Sequence, residues 1–210
     1  PTRGLVPAGG RLYAVLGPSG LAVFDVSDPT HPVPFPAIHS NVVSIAVSGG
    51  HVLVGGSNYF GVLDLADPAH PRTAGSLRLW PGGNIGALAV AGSLALLCHE
   101  TGLDLVDVSQ PHCPKRVGSL AMDWGSPGLA PPRLALVGNT AVVGAAHHLD
   151  FIDLASPANP RWLGRFDVPV ANAGHDQTSG GGIRAIQAAP SARRRYVSED
   201  GGLIRQRQID

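Results

Sequence analysis

Residues 49–75 read GGHVLVGGSNYFGVLDLADPAHPRTAG, and the punctuation of this stretch recurs along the chain. Gly49 is followed fifteen residues later by Asp64, and then by Pro68, Pro71 and Gly75. The same order returns as Gly10, Asp25, Pro29, Pro32; as Gly92, Asp107, Pro111, Pro114, Gly118; and as Gly138, Asp153, Pro157, Pro160, Gly164. The Asp recurs at intervals of 39, 43 and 46 residues, within the range where a self-similar period means a solenoid, a propeller or an array. One supersecondary unit is therefore stacked on itself.

Each unit reads as short β-rich runs cut by turn signals. In the second copy these are Val42–Val47, a Gly49-Gly50 turn, His51–Val54, a loop at Ser57–Tyr59, and Val62–Leu65. Asp67-Pro68-Ala69-His70-Pro71 then turns the chain into Thr73–Leu79, giving four strands in antiparallel sequence. Helix formers are scarce: Lys115 and Met122 are the only residues of their types, Glu occurs only at 100 and 199, and Gly and Pro together number 47. The runs Leu12–Leu16, Leu21–Val26, Ala87–Val90, Leu94–Leu97 and Ala141–Val143 are apolar without clean alternation, so both faces of each sheet must be covered. With no helical period in the connections, neighbouring copies are the covering layers. Small four-stranded sheets stacked face to face around an axis make a β-propeller.

The repeat marks have local causes. Gly10-Arg11, Gly49-Gly50, Gly92-Ser93 and Gly138-Asn139 are two-residue hairpin signals. The Asp closing each third strand is expected to accept backbone amides of an Asx turn, buried enough that removing the carboxylate strands them. The Pro pair then ends the ladder and sets the start of a short outer strand, where Pro is tolerated.

The segments running from Gly20 through Leu21, Val23, Asp25 and Pro29 to Pro32, and from Gly102 through Leu103, Leu105 and Asp107 to Pro111, resemble the LVIVD repeat. The resemblance covers roughly three quarters of the chain by the repeat arithmetic. It implies a β-propeller from a family found mainly in bacterial and archaeal surface or secreted proteins, largely without assigned activity. It brings no catalytic residue with it. The expected architecture is all-β, a single domain over 1–210 of about five four-stranded antiparallel blades at 1–39, 40–80, 81–122, 123–169 and 170–210. The last is incomplete, which makes the ring five-bladed or truncated: Gly182–Ala188, Arg195–Ser198 and Leu203–Ile209 read as three strands with no Asp-Pro turn after them. The start at Pro1 and the strand-like finish at Ile209-Asp210 suggest a piece of a longer protein.

Bulk composition narrows the partners. Fifteen basic and fifteen acidic residues leave no global field for nucleic acid or an anionic membrane, and no apolar run is long enough to span a bilayer. Cys98 and Cys113 fall at opposite ends of neighbouring strands and are not expected to bridge.

Ligands of propellers are expected at the end of the axis where the loops between second and third strands meet the connections between blades. Those segments place His39, Tyr59, Trp80, His99, Glu100, Trp124, His148, His175 and Asp176 there as candidate binding residues. His99, Glu100, His147, His148, His175 and Asp176 have the chemistry of a metal site, but no i, i+2 or i, i+4 ligand pair stands among them, and solvated or capping loop histidines are the favoured reading. No metal or other cofactor is expected. The turn Asp residues are too far apart, one per blade, for a calcium ring. His31 and His70 share a turn position with Cys113 and Asn159, read as a site of positive φ. Trp162 is read as covering a neighbouring blade, Trp80 and Trp124 as either lids or ligand contacts, and Arg193-Arg194-Arg195 as a solvated turn. No nucleophile elbow, phosphate loop or paired-Cys motif is present.

The leading expectation is a non-enzymatic binding scaffold for a protein, small-molecule or carbohydrate ligand, extracellular or at the cell surface. The alternative is a propeller hydrolase or lyase, in one form metal-dependent, whose axial pocket uses His99, His148, His175 and Asp176 as acid, base or metal ligands.

Overall fold

The computed structural model describes residues 4–36, 38, 41–78, 84–124, 132–145 and 147–168, and the course of the chain over 185–188 and 195–198. Four antiparallel four-stranded sheets follow one another. The first holds β1 (Gly4–Ala8), β2 (Arg11–Val15), β3 (Leu21–Asp25) and the two-residue β4 (Val33–Pro34). The second holds β5 (Ser44–Ser48), β6 (His51–Gly56), β7 (Tyr59–Asp64) and β8 (Arg72–Arg78). The third holds β9 (Ala87–Ala91), β10 (Leu94–His99), β11 (Gly102–Asp107) and β12 (Lys115–Ala121). The fourth holds β13 (Arg133–Val137), β14 (Thr140–Ala145), β15 (His148–Asp153) and β16 (Arg161–Asp167). A fifth unit shows β17 (Ala185–Ala188) paired with β18 (Arg195–Ser198); the expected third strand, Leu203–Ile209, lies outside the described residues. There is no helix among the described residues, hence none long and apolar enough to cross a membrane.

The first strands touch in series, β1 with β5, β5 with β9, β9 with β13 and β13 with β17. That contact order puts them around a common axis, with β4, β8, β12 and β16 outermost, and the architecture is a β-propeller. The apolar runs now have their covers. Leu96, Cys98, Leu103 and Leu105 of the third blade pack on Ala141, Val143 and Ile152 of the fourth, while Leu97 and Val106, on the opposite face, pack on Leu53, Phe60 and Val62 of the second. Tyr13, Val15, Leu21 and Val23 meet Val52, Val54, Leu63 and Leu65 across the first junction.

The turn chemistry follows the repeat. Asp25, Asp64, Asp107 and Asp153 each accept, through Oδ1, the backbone amide two residues on, at 2.9, 2.9, 2.8 and 2.9 Å. The intervening amide, of the residue directly after the Asp, donates back to the hairpin of the same blade: Val26 to the carbonyl of Gly10, Val108 to that of Ser93 and Leu154 to that of Asn139. These Asx turns are exposed, so their amides are not the buried groups that the sequence suggested.

Two further expectations are corrected. The first hairpin turns on Gly9-Gly10, both with positive φ, and Arg11 opens β2; the extra residue of this blade sits in the Gly17–Ser19 loop. His31 and His70 do not have positive φ, which among non-glycine residues belongs to Asn58 alone within the described chain. Each His instead sets Nδ1 on Oδ2 of the Asp before the Pro, Asp28 at 3.1 Å and Asp67 at 2.8 Å.

The repeat Gly of the outer strand has a cause that a single blade cannot supply. A Cβ on Gly75 would meet the backbone of Pro111 and His112, and one on Gly118 would meet the backbone of Pro157 and Ala158. Each outer strand is thus laid against the Asp-Pro turn of the following blade. Both Gly residues stand next to a break in register, between Val62 and Leu63 and between Leu105 and Val106, that bends the outer strand toward that turn.

Gly118→Ala is expected to lose about 1–3 kcal/mol of stability, because the obstructing atoms are main chain and cannot swing aside. Gly4→Ala, where a Cβ meets nothing within 4 Å, is expected to change stability by less than about 0.5 kcal/mol. Asp107→Ala should fall between the two, since water replaces the exposed carboxylate on the Ser109 amide. Denaturant melts of the three variants check the order; equal midpoints for Gly118→Ala and the parent would refute the inter-blade contact.

Candidate functional site

The loops Gly56–Tyr59 and His99–Gly102, the residues His147 and His148, and the described parts of the connections after β8 and β12, residues 84–86 and 122–124, lie at one end of the axis, opposite the Asp-Pro turns. Of the candidate residues, Tyr59, His99, Glu100, Trp124 and His148 are described there, and His39, Trp80, His175 and Asp176 lie outside the described residues. Glu100 is exposed at its loop tip, as is His147. The ring of Tyr59 folds over Gly61 and packs on the junction of the first two blades. Trp124 is buried in the junction of the third and fourth blades, and its Nε1 donates to the carbonyl of His99 at 2.7 Å. It is a lid on that core. Trp162, half exposed, donates Nε1 to Asp150 of its own blade at 3.0 Å.

Two His–Asp pairs emerge where the sequence suggested only histidines. Asp104 and Asp150 hold the same place, the third residue of β11 and β15, three before the repeat Asp. His148 Nε2 is 3.3 Å from Asp150 Oδ2, and His99 Nε2 is 3.6 Å from Asp104 Oδ2, neither aligned for a hydrogen bond. Asp150 is fully buried and fully used: Oδ1 accepts Trp162 Nε1 and Arg165 Nε, and Oδ2 accepts Arg165 Nη2 at 2.9 Å. Arg165 also donates to the carbonyl of Asp123, tying the fourth blade to the connection before it. Asp104 has a looser cation, Arg116 Nη1 at 3.6 Å. The signal was present in the sequence, since Asp104 and Asp150 interrupt otherwise apolar strands, but the repeat drew attention to the terminal Asp instead.

Burial holds the imidazole of His99 below its ordinary range, and Asp104 pulls the other way without offsetting it. His148 is likewise lowered, by burial first and then by the charge of Arg165. Burial, assisted by Asp150, pushes the Cys98 thiol far above its usual range, so it stays protonated. Cys98 and Cys113 are both free. No cluster of three or more His, Cys, Asp or Glu side chains suited to a metal occurs among the described residues.

The two pairs do not share a pocket. His99 and Asp104 lie on the face of the third blade turned to the second, alongside Leu97, whereas His148 and Asp150 lie on the face of the fourth turned to the third, alongside Val143. A whole sheet separates them. Neither pair lines the open axial cavity of about 230 Å³, which the starts of the inner strands border. Leu5, Val43, Ala87, Leu88 and Leu134 give it apolar walls, and Arg133 supplies a guanidinium whose buried Nε has no hydrogen-bond partner. Arg133 was not among the candidate residues.

Because both folded-state imidazoles are lowered, the unfolded chain takes up protons first as pH falls through about 6.5, and folding stability drops below that pH. The turn carboxylates of Asp25, Asp28, Asp67 and Asp107 are held below their usual range and act only in more acid solution. Melting temperature is therefore expected to decline between pH 7 and pH 5 in the parent, and less in a His99→Gln, His148→Gln double variant. Parallel curves would show that the two rings are not desolvated.

The model of the LVIVD repeat family matches residues 8–34 and 40–78, which span the first two blades. No curated protein matches the sequence. Three solved structures are similar in fold. A protein from Lactobacillus plantarum aligns at TM-score 0.74 and 16% identity, over 98% of this chain and 70% of its own. The computationally designed Ika8 protein aligns at TM-score 0.68 and 13% identity, over 99% of this chain and 58% of its own. Sqt1 from Chaetomium thermophilum aligns at 0.65 and 18%, over 94% of this chain and 57% of its own. The chain thus spans less than two thirds of the length of the latter two, and at these identities the likeness concerns fold. Repeat and architecture agree: the chain is a β-propeller whose first two blades carry the LVIVD repeat.

Proposed function

We propose that this propeller is a non-enzymatic binding scaffold that receives a protein, small-molecule or carbohydrate ligand at its loop-bearing end, as one module of a larger exported or cell-surface protein. The observation that carries the reading is how the acid–base groups at that end are spent. Asp150 is satisfied by Arg165 and Trp162, Trp124 caps the carbonyl of His99, and the two His–Asp pairs are held in separate blade junctions. General acid–base catalysis needs a proton donor and acceptor within reach of one substrate, and these groups offer no shared access. A concave cavity on the axis, at the same end, with apolar side chains and one guanidinium in its lining, suits binding. The exported setting is supported by the company that LVIVD repeats keep.

Chemical-shift mapping of the isotopically labelled chain against a panel of carbohydrates and small carboxylates tests the proposal. Shifts are expected to concentrate at Ser57–Tyr59, Glu100–Thr101, His147–His148 and the inner-strand starts. Binding confined to the opposite end, around Pro29, Pro68, Pro111 and Pro157, would remove the scaffold from its assigned face, and turnover of a panel member would remove the non-enzymatic reading.

A further inference from the structure

We infer that the axial cavity is an anion site that takes a small monocarboxylate with an apolar body, its carboxylate on Arg133. This deepens the scaffold reading and rests on it. Arg133 is the one charged residue of the inner strands β1, β5, β9, β13 and β17, whose other members are small, apolar or neutral. Its Nε is shut off from solvent without a hydrogen-bond partner, and it forms no ion pair among the described residues. Other guanidiniums near the core are provided for: Arg165 grips Asp150 through two nitrogens, Arg116 faces Asp104, and Arg11 donates to the carbonyl of Leu65 at 2.8 Å. Arg133 itself is only partly buried, but a shielded N–H without an acceptor is disfavoured, so its guanidinium is a group open to an acceptor.

The rest of the lining selects the acceptor. The Ser44 hydroxyl already donates a hydrogen bond to the carbonyl of Ile85 at 2.8 Å, and Leu5, Val43, Ala87, Leu88 and Leu134 supply the apolar part of the lining. One guanidinium neutralises one charge, and its planar fork matches a carboxylate through two parallel hydrogen bonds. A monoanion with an apolar remainder fits both halves of the cavity; a phosphate or a sugar leaves the walls unmatched. Size agrees. A cavity of 150 Å³ accommodates benzene, so one of about 230 Å³ takes about nine non-hydrogen atoms, the size of benzoate. The lining residues open β1, β5, β9 and β13, which puts the site at the loop-bearing end.

Calorimetric titration of the whole chain with benzoate and with its neutral counterpart benzamide tests the assignment. Benzoate is expected to bind at one equivalent and at least about tenfold more tightly than benzamide, the margin of a charge-assisted hydrogen bond. Arg133→Met should abolish that preference and Arg133→Lys should retain part of it. Equal binding of the two probes by the parent, or no benzoate binding up to about 10 mM, overturns the anion site, and this contrast holds even if a variant fails to fold. Such a failure leaves the scaffold reading intact if the loop end still responds to another ligand, whereas silence of that end toward every ligand fails both.

Discussion

The constraint from which the rest of the structure follows is that each blade is apolar on both faces and cannot be dry alone. Leu96 and Leu97 are neighbours in β10 and both are fully buried, one against the fourth blade and one against the second. At about 1.5–3 kcal/mol for each fully buried Leu, the junctions outweigh any single turn or ion pair in the molecule. Hydrogen bonding within a blade cannot substitute for this, since it exchanges with water at little net gain. The propeller is the arrangement in which every sheet has a neighbour on each side.

Packing of that kind decides where polar groups can stand. The loop-bearing end is where strands of four blades converge, but convergence of backbones does not bring side chains together. Sheets stacked radially separate whatever lies on their faces, so His99 and His148, alike in chemistry and level, belong to different junctions. Only the starts of the inner strands look into common space, and the charged residue found there is Arg133. Function in such a fold is therefore expected from the inner-strand openings and loop tips rather than from blade faces.

The same geometry explains the polar clusters in the junctions. Asp150 is completely enclosed, yet it carries three hydrogen bonds from Trp162 and Arg165 and holds the connection at Asp123 in place through the arginine. An enclosed carboxylate is tolerated when it is paired and fully bonded. At the equivalent place the second blade has Gly61, covered by the ring of Tyr59, so an aromatic ring and an ion pair are alternative ways of filling one recess.

The repeat alone determined the four-stranded blades of the described chain, their strand order and the Asx turn that closes each third strand, because these depend on local signals: Gly in hairpins, Asp accepting the amide two residues on, Pro ending a ladder. It also marked Gly75 and Gly118 without giving their reason, which lies in the backbone of the next blade. Tertiary structure decided the fate of the candidate residues. Trp124 became a lid, His31 and His70 became partners of Asp28 and Asp67, Asp104 and Asp150, marked in the sequence only as breaks in apolar strands, met Arg116 and Arg165, and Arg133 was left with its Nε unpartnered. Secondary structure is written in neighbours along the chain, whereas a buried charge takes its meaning from which face of which sheet covers it, and that is settled only when the blades close on one another.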